Sequence, residues 1–509
     1  MQAGTGSHGL QADIAQAYAL MERGALADAE AACQRALAAT NGSSADAWAA
    51  LGVVLREQGR PQESEAAYKR ALAVAPQHAL AHHNLGALLS YLDRAEEALA
   101  SLERARSLGL NAAELHINRG RALAQLYRIE EAERAYAQAV ALQPRNTDAQ
   151  SNLAALRYMC GDPHFVRDFA AAARQYPADV GLQYAYTEVL RRSGNLPAAE
   201  GVLRTLLAGS GGAIPEIRSS LATLLHEMGR LAEAENEALT AAMSRPQNPR
   251  LIENLVGVVL ARCKPDAALP FIRTERRNRP QDPRWVTYEA MAARLMGDPL
   301  YGRLYDYDRL VRVYELQPPA GWQSMEQLNA ALSQTLRGRH RFASHPLDQS
   351  LRNGSQTARN LLAEADPAIQ AIIAAFAGPI ESYCAVLGAN PDHPLSALNT
   401  GAARLHGCWS IELRRDGFHV NHFHNEGWLS SAYYVSVPEE VADTQGRSGW
   451  LKFGEPRLPV PGLDADHFVQ PQPGRLVLFP SYMWHGTNAI RGTRTRLTVA
   501  FDAVPAPPH

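Results

Sequence analysis

Phe418-His419-Val420-Asn421-His422-Phe423-His424-Asn425-Glu426-Gly427 decides how the last third of this chain is read, and Pro480-Ser481-Tyr482-Met483-Trp484-His485-Gly486-Thr487 completes it. Three imidazoles and a carboxylate fall within eight residues of the first stretch. Side chains alternate along a strand, so His422 and His424 share one face and Phe423 takes the other. Strict alternation puts His419, three residues from His422, on the opposite face unless a bulge intervenes, and its expected place is beside the ligands in support or at the surface. Two imidazoles on one face plus a third from a distant strand can form half of an octahedral iron site and leave the other half open. Zinc is the alternative, because imidazole suits it equally well.

Working outward, the texture is short and β-like from Ala403 onward. Strands are predicted at 409–414, 430–437, 449–453, 475–479 and 496–501, with turns at Asp416-Gly417, Gly446 and Pro473-Gly474. Many short strands without alternating helices imply an antiparallel sandwich or barrel. Upstream, 324–336 reads as a helix with Ser324 and Gln327 spaced as a capping box. A second helix, 366–387, carries an apolar face of Ile369, Ile372, Ile373, Phe376, Ile380 and Tyr383. The polar segment 349–357 between them reads as a loop, either a substrate-facing lid or a connector.

Further upstream the pattern is periodic. Gly52, Gly86 and Gly120 are spaced 34 residues apart. Trp48, Leu51, Leu55, Tyr68, Ala71 and Pro76 surround the first. Leu85, Leu89, Ala98, Leu102 and Ala105 surround the second, and Leu123, Ala132, Tyr136, Ala139 and Pro144 the third. The spacing resembles the tetratricopeptide repeat, with fainter units before and after. Each such unit is two amphipathic helices that bury their apolar faces only against neighbours, and the stacked units present a concave wall suited to an extended peptide. A plain spacer or dimerisation arm is the alternative.

The composition narrows the possible partners. Of 509 residues 46% are hydrophobic and 20% charged, with a formal net charge of -2, which offers no electrostatic attraction for nucleic acid or an acidic membrane. Cys33, Cys160, Cys263, Cys384 and Cys408 are scattered, as in a reducing compartment, and no stretch reads as a signal peptide or membrane span. A cytoplasmic protein is expected.

The C-terminal motifs also follow a familiar order: His422-x-His424, Leu429-Ser430-Ser431-Ala432-Tyr433-Tyr434-Val435, Gly449-x-Leu451-x-Phe453, Pro473-Gly474-x-Leu476-x-Leu478-Phe479-Pro480, His485 and Arg496-x-Thr498. This order resembles the double-stranded β-helix oxygenases that use iron(II) and 2-oxoglutarate, in the branch fused to tetratricopeptide repeats. The resemblance implies that His422 and His485 are metal ligands. It also implies that Arg496 pairs with the far carboxylate of 2-oxoglutarate, with Thr498 and Tyr434 beside it; the planar guanidinium fork suits a carboxylate.

The family's second ligand is Asp, and here that position holds His424. Three readings stay open: His424 is the third ligand, Glu426 supplies the carboxylate, or His422 and His485 hold the metal with water. Trp428, Trp450 and Phe453 are expected to line the pocket or pack in the core. The implied architecture is multidomain. An all-α tetratricopeptide-repeat solenoid spans 1–296, a connector and helical support 297–402, and a double-stranded β-helix (jelly-roll) core 403–509, the last two forming an α+β domain. The implied activity is that of a dioxygenase, a hydroxylase acting on a protein or peptide held in the repeat groove. A non-catalytic scaffold and a small-molecule oxygenase are the alternatives.

Overall fold

The computed structural model describes residues 3–506. Paired helices run from the first, Ala3–Glu22, through Pro283–Met296, and strands follow. The periodic glycines sit where paired helices touch. A Cβ on Gly52 would stand 2.4 Å from the Tyr68 ring, and one on Gly120 2.6 Å from the Tyr136 ring. Leu102 fills the same place opposite Gly86. Arg60, Arg94 and Arg128, also 34 apart, precede each second helix and pair with Glu63, Glu97 and Glu131 of its first turn.

The chain divides into two compact units, one ending at Leu156 and the other starting at Arg157. The boundary expected near 297 lies inside the second unit. There the helix Pro283–Met296 stops at Gly297, whose φ of 66° is left-handed. The helices between 167 and 296 therefore belong to the same unit as the strands. The reason is a common core: Trp285 and Met291 pack in one cluster with Val460, Leu463 and Trp484, while Val286 and Ala290 join the cluster behind the main sheet.

The strands are β1 (Arg312–Glu315), β2 (Leu351–Gln356), β3 (Ala403–His419), β4 (Leu429–Ser436), β5 (Leu451–Phe453), β6 (His467–Val469), β7 (Arg475–Pro480), β8 (His485–Thr487) and β9 (Arg496–Pro505). They form an antiparallel six-stranded sheet, β1-β7-β4-β9-β3-β2, and a three-stranded one, β6-β5-β8. The five predicted strands are present, and β3 is longer than expected. The segment 349–357 is not a loop: it carries β2, paired to β3 through a bulge between Arg352 and Gly354.

The capping box forms, with Ser324 Oγ accepting from Gln327 N at 3.2 Å; the Gln327 side chain reaches one residue further back, to Gln323 N, at 2.8 Å. The helix expected over 366–387 breaks into Pro367–Ala375 and Ala377–Leu387, because Pro379 has no N–H for the carbonyl four residues back. This stretch is long and apolar enough to cross a membrane. Here it backs the main sheet, with the Phe376 ring 4.7 Å from Phe501 and 5.7 Å from Tyr433.

Candidate metal centre

His422 and His485 face each other as an antiparallel bridge. The backbone nitrogen of each donates to the other's carbonyl, at 2.8 and 2.9 Å. This fastens the end of the histidine stretch to β8. The two strands approach so closely at the next residue that only glycine fits: a Cβ on Gly486 would lie 2.2 Å from Asn421 Oδ1. The alternation read from the sequence holds. Phe423 turns away from the histidines and packs edge-on against Trp484 (4.8 Å) and Tyr288 (6.4 Å) of the helix Pro283–Met296. Trp484 donates Nε1–H to Met291 Sδ, and Thr287 donates its hydroxyl to Tyr482 O at 2.5 Å. The outward neighbours of the histidines are thus gripped by the last repeat-like helix, and that grip fixes where the inward rings point.

Inward, one ring nitrogen from each of His422, His424 and His485 lies within 4.8 Å of the others. The Nδ1 atoms of His422 and His485 each lie 2.8 Å from a backbone carbonyl, of Val420 and Met483. As donors there, these nitrogens turn the Nε2 lone pairs inward to where a metal would sit, and Ser350 Oγ lies 3.3 Å from His422 Nε2. Burial and the neighbouring His424 push the His422 imidazolium down to about 3, and burial also drives His485 well below its ordinary range, so both rings are neutral at pH 7, the form a metal takes. His424 Nδ1 lies 2.8 and 2.7 Å from the two carboxylate oxygens of Asp502.

The remaining predicted residues divide sharply. Arg496, Thr498 and Tyr434 line the same cavity of about 900 Å³ as the three histidines. Arg496 is 2% exposed, and its Nη1 donates to Gly449 O at 2.6 Å. Its Nε has no partner, the Tyr434 hydroxyl has none, and no carboxylate faces the guanidinium among the described residues. Thr498 Oγ1 makes a long 3.4 Å bond to Ile411 O. Glu426 is exposed and lines a different cavity, so it is not brought to the histidines.

His419 is not on the opposite face. β3 ends at His419, so strict alternation stops there; its ring stacks 6.0 Å from His422 and its Nδ1 lies 2.9 Å from Ser350 Oγ. Trp428 and Trp450 are committed elsewhere, donating to Leu395 O and Val441 O, and Phe453 packs behind the wall against Phe479. Leu451, Phe479 and Trp409 supply the apolar walls. Three groups reach the site that the strand pattern did not reveal: Asp502, Ser350, and a rim from the repeat-like helices comprising Tyr158, Arg191, Arg192 and Glu227.

Residues 407–502 match the family described as "Putative 2OG-Fe(II) oxygenase", and 43–111 and 113–146 match tetratricopeptide-repeat families. No curated protein matches the chain. Similar solved structures include a tetratricopeptide repeat protein from Parabacteroides merdae, at 19% identity over 49% of this chain and 98% of that one, with a TM-score of 0.36. A TPR protein of Thermus thermophilus, TTC0263, shares 25% over 36% of this chain and 98% of its own (TM-score 0.32). Yeast Tom70 shares 17% over 54% of this chain and 62% of its own (TM-score 0.42). The chain thus carries tetratricopeptide repeats followed by a β-rich domain that is similar to the family described as "Putative 2OG-Fe(II) oxygenase".

Proposed function

We propose that the protein is an iron(II)- and 2-oxoglutarate-dependent oxygenase that hydroxylates a protein or peptide. One observation carries this reading: three converging imidazoles share a cavity with a buried arginine that lacks an anionic partner. A guanidinium out of water and unpaired is costly, and a ligand carboxylate would relieve it. The free Arg496 Nε and Tyr434 hydroxyl suit the same carboxylate.

In this reading His422, His424 and His485 hold iron, Arg496 grips the far carboxylate of 2-oxoglutarate, and Tyr434 and Thr498 steady it. When bound, the pair would let dioxygen be used, one oxygen atom entering a substrate C–H bond as hydroxyl and the other entering succinate as the keto acid loses carbon dioxide. The chain's own work is orientation and exclusion of water. Carbonyl bonds from His422 and His485 lock ring direction, and Leu451, Phe479 and Trp409 keep the cavity floor apolar.

Substrate would enter past the rim where Arg191 and Arg457 share Glu227, at 2.6 and 3.3 Å. Arg352, whose Nη1 donates to the carbonyls of Gln349 and Leu351, adds a cation there. A rim of mixed charge on repeat-like helices suits a peptide better than a small apolar metabolite. The repeats before residue 157 would recruit the partner, and the scattered spacing of the five cysteines accords with a cytoplasmic setting. A non-catalytic scaffold is the competing reading, favoured by His424 where the family carries Asp.

The test is anaerobic loading with Fe(II), then oxygen and 2-oxoglutarate with succinate measured, alongside an Arg496→Gln variant. Succinate formation that falls at least about tenfold in the variant supports the oxygenase. No succinate from iron-loaded protein, with or without candidate peptides, supports the scaffold.

A further inference from the structure

We propose that Asp502 is the carboxylate missing from the ligand set, moved one bond outward, where it acts through His424 as a positioning and charge-balancing residue. This rests on the metal reading above. Along β9 the side chains of Arg496, Thr498, Ala500 and Asp502 alternate onto the cavity side, while Leu497, Val499, Phe501 and Ala503 are buried in the core behind the sheet. The strand that supplies the cosubstrate arginine therefore also delivers a carboxylate to the metal side.

That carboxylate is built in. Both of its oxygens reach His424 Nδ1, at 2.8 and 2.7 Å, and Oδ1 also accepts from Ser430 Oγ at 2.8 Å. Ser430 Oγ in turn lies 2.9 Å from Ser481 Oγ, and the His424 backbone nitrogen donates to Ser481 O at 2.9 Å. Ring, carboxylate and strand ends are fixed together. Asp502 has no lysine or arginine partner among the described residues; its one ion-pair contact is His424.

The three histidines are thus held differently. His422 and His485 lean on neutral carbonyls, and His424 alone leans on an anion. A carboxylate accepting Nδ1–H fixes the tautomer that aims Nε2 inward and raises the ring's donor strength. Three neutral imidazoles leave a divalent ion one positive charge richer than two imidazoles and a carboxylate would. Asp502 returns that charge through the ring, in a cavity where water screens it weakly. The replacement of Asp by His in the ligand set thereby changes which atom touches the metal and keeps the charge of the site.

Cobalt(II), alone and without keto acid, is the probe, titrated into the full chain and read from its visible absorption. Asp502→Asn keeps shape and removes charge; Asp502→Ala removes both. The expected result is a loss of Co(II) affinity of about 10- to 100-fold in Asp502→Asn and at least as much in Asp502→Ala. Glu426→Gln should bind like the parent. Ring-nitrogen NMR of the metal-free parent should show the His424 proton on Nδ1, a readout that does not depend on the variants folding. The inference is overturned if folded Asp502→Asn binds Co(II) within about threefold of the parent, or if the His424 proton sits on Nε2. A parent chain that binds no Co(II) removes the metal reading itself, and this inference with it.

Discussion

The helical repeats before and after Leu156 are built from the same unit and used differently. In the first unit each pair closes on itself: Gly52 on Tyr68, Gly86 on Leu102 and Gly120 on Tyr136, with small buried alanines between. In the second unit the consensus fades, and the apolar surface faces outward to strands. Trp285 and Met291 pack with Trp484, Tyr288 meets Phe423, and Thr287 bonds the turn before His485. The first kind of repeat specifies only its neighbours, so its pattern stays regular. The second must also fit a non-repeating β-domain, and regularity is lost position by position.

The sharpest way to break this contrast is truncation. A chain starting at residue 157 should fold and bind Co(II) as the full chain does. A chain starting at 297 loses the partners of Phe423 and Trp484 and should aggregate or bind none, as seen by titration and near-ultraviolet dichroism. For the same reason a cut near 290 tests folding as much as substrate delivery, and the cut at 157 is the clean test of recruitment. Next in size, Trp285→Ala should destabilise the second unit by about 3–5 kcal/mol in urea unfolding and weaken Co(II) binding with it. In the first unit Gly120→Val should cost about 1–3 kcal/mol through collision with Tyr136 and leave Co(II) affinity unchanged.

The smallest effect is on pH dependence. In the second unit burial lowers His226 and His340 to about 4, against about 6.5 for an exposed histidine. The unfolded chain then takes up protons that the folded one refuses, so stability is full above about pH 6.5 and falls toward pH 4. At pH 5.5 the loss is roughly 1 kcal/mol per histidine, and His226→Leu should flatten the urea midpoint between pH 6.5 and 5.

The legible features were those written in local period. Alternation placed His422 and His424 together with Phe423 opposed, the 34-residue period placed the glycines, and motif order brought His485 and Arg496 to one cavity. What escaped depends on register between distant strands. Asp502 meets His424 only because β4 and β9 pair Ser430 with Asp502, a match 72 residues apart. Ser350 and Arg352 lie by an edge strand whose Asn353-Gly354 and polar composition mimic a loop, since an edge strand needs little apolar surface. The break at Phe376 was visible in Gly378-Pro379, but the continuous apolar face outweighed it. For Trp428 and Trp450 the sequence left pocket lining and core packing both open, and their indole N–H groups, each bonded to a carbonyl, decide against the pocket.

The central claim is that His422, His424 and His485 share one metal beside an anion held by Arg496. Anomalous scattering at the iron edge, from crystals grown anaerobically with Fe(II) and 2-oxoglutarate, tests it in one measurement. The account predicts a single iron at bonding distance from all three rings, with the keto acid's far carboxylate on Arg496 and Tyr434. Iron bound elsewhere, or a keto acid that leaves Arg496 untouched, would contradict it.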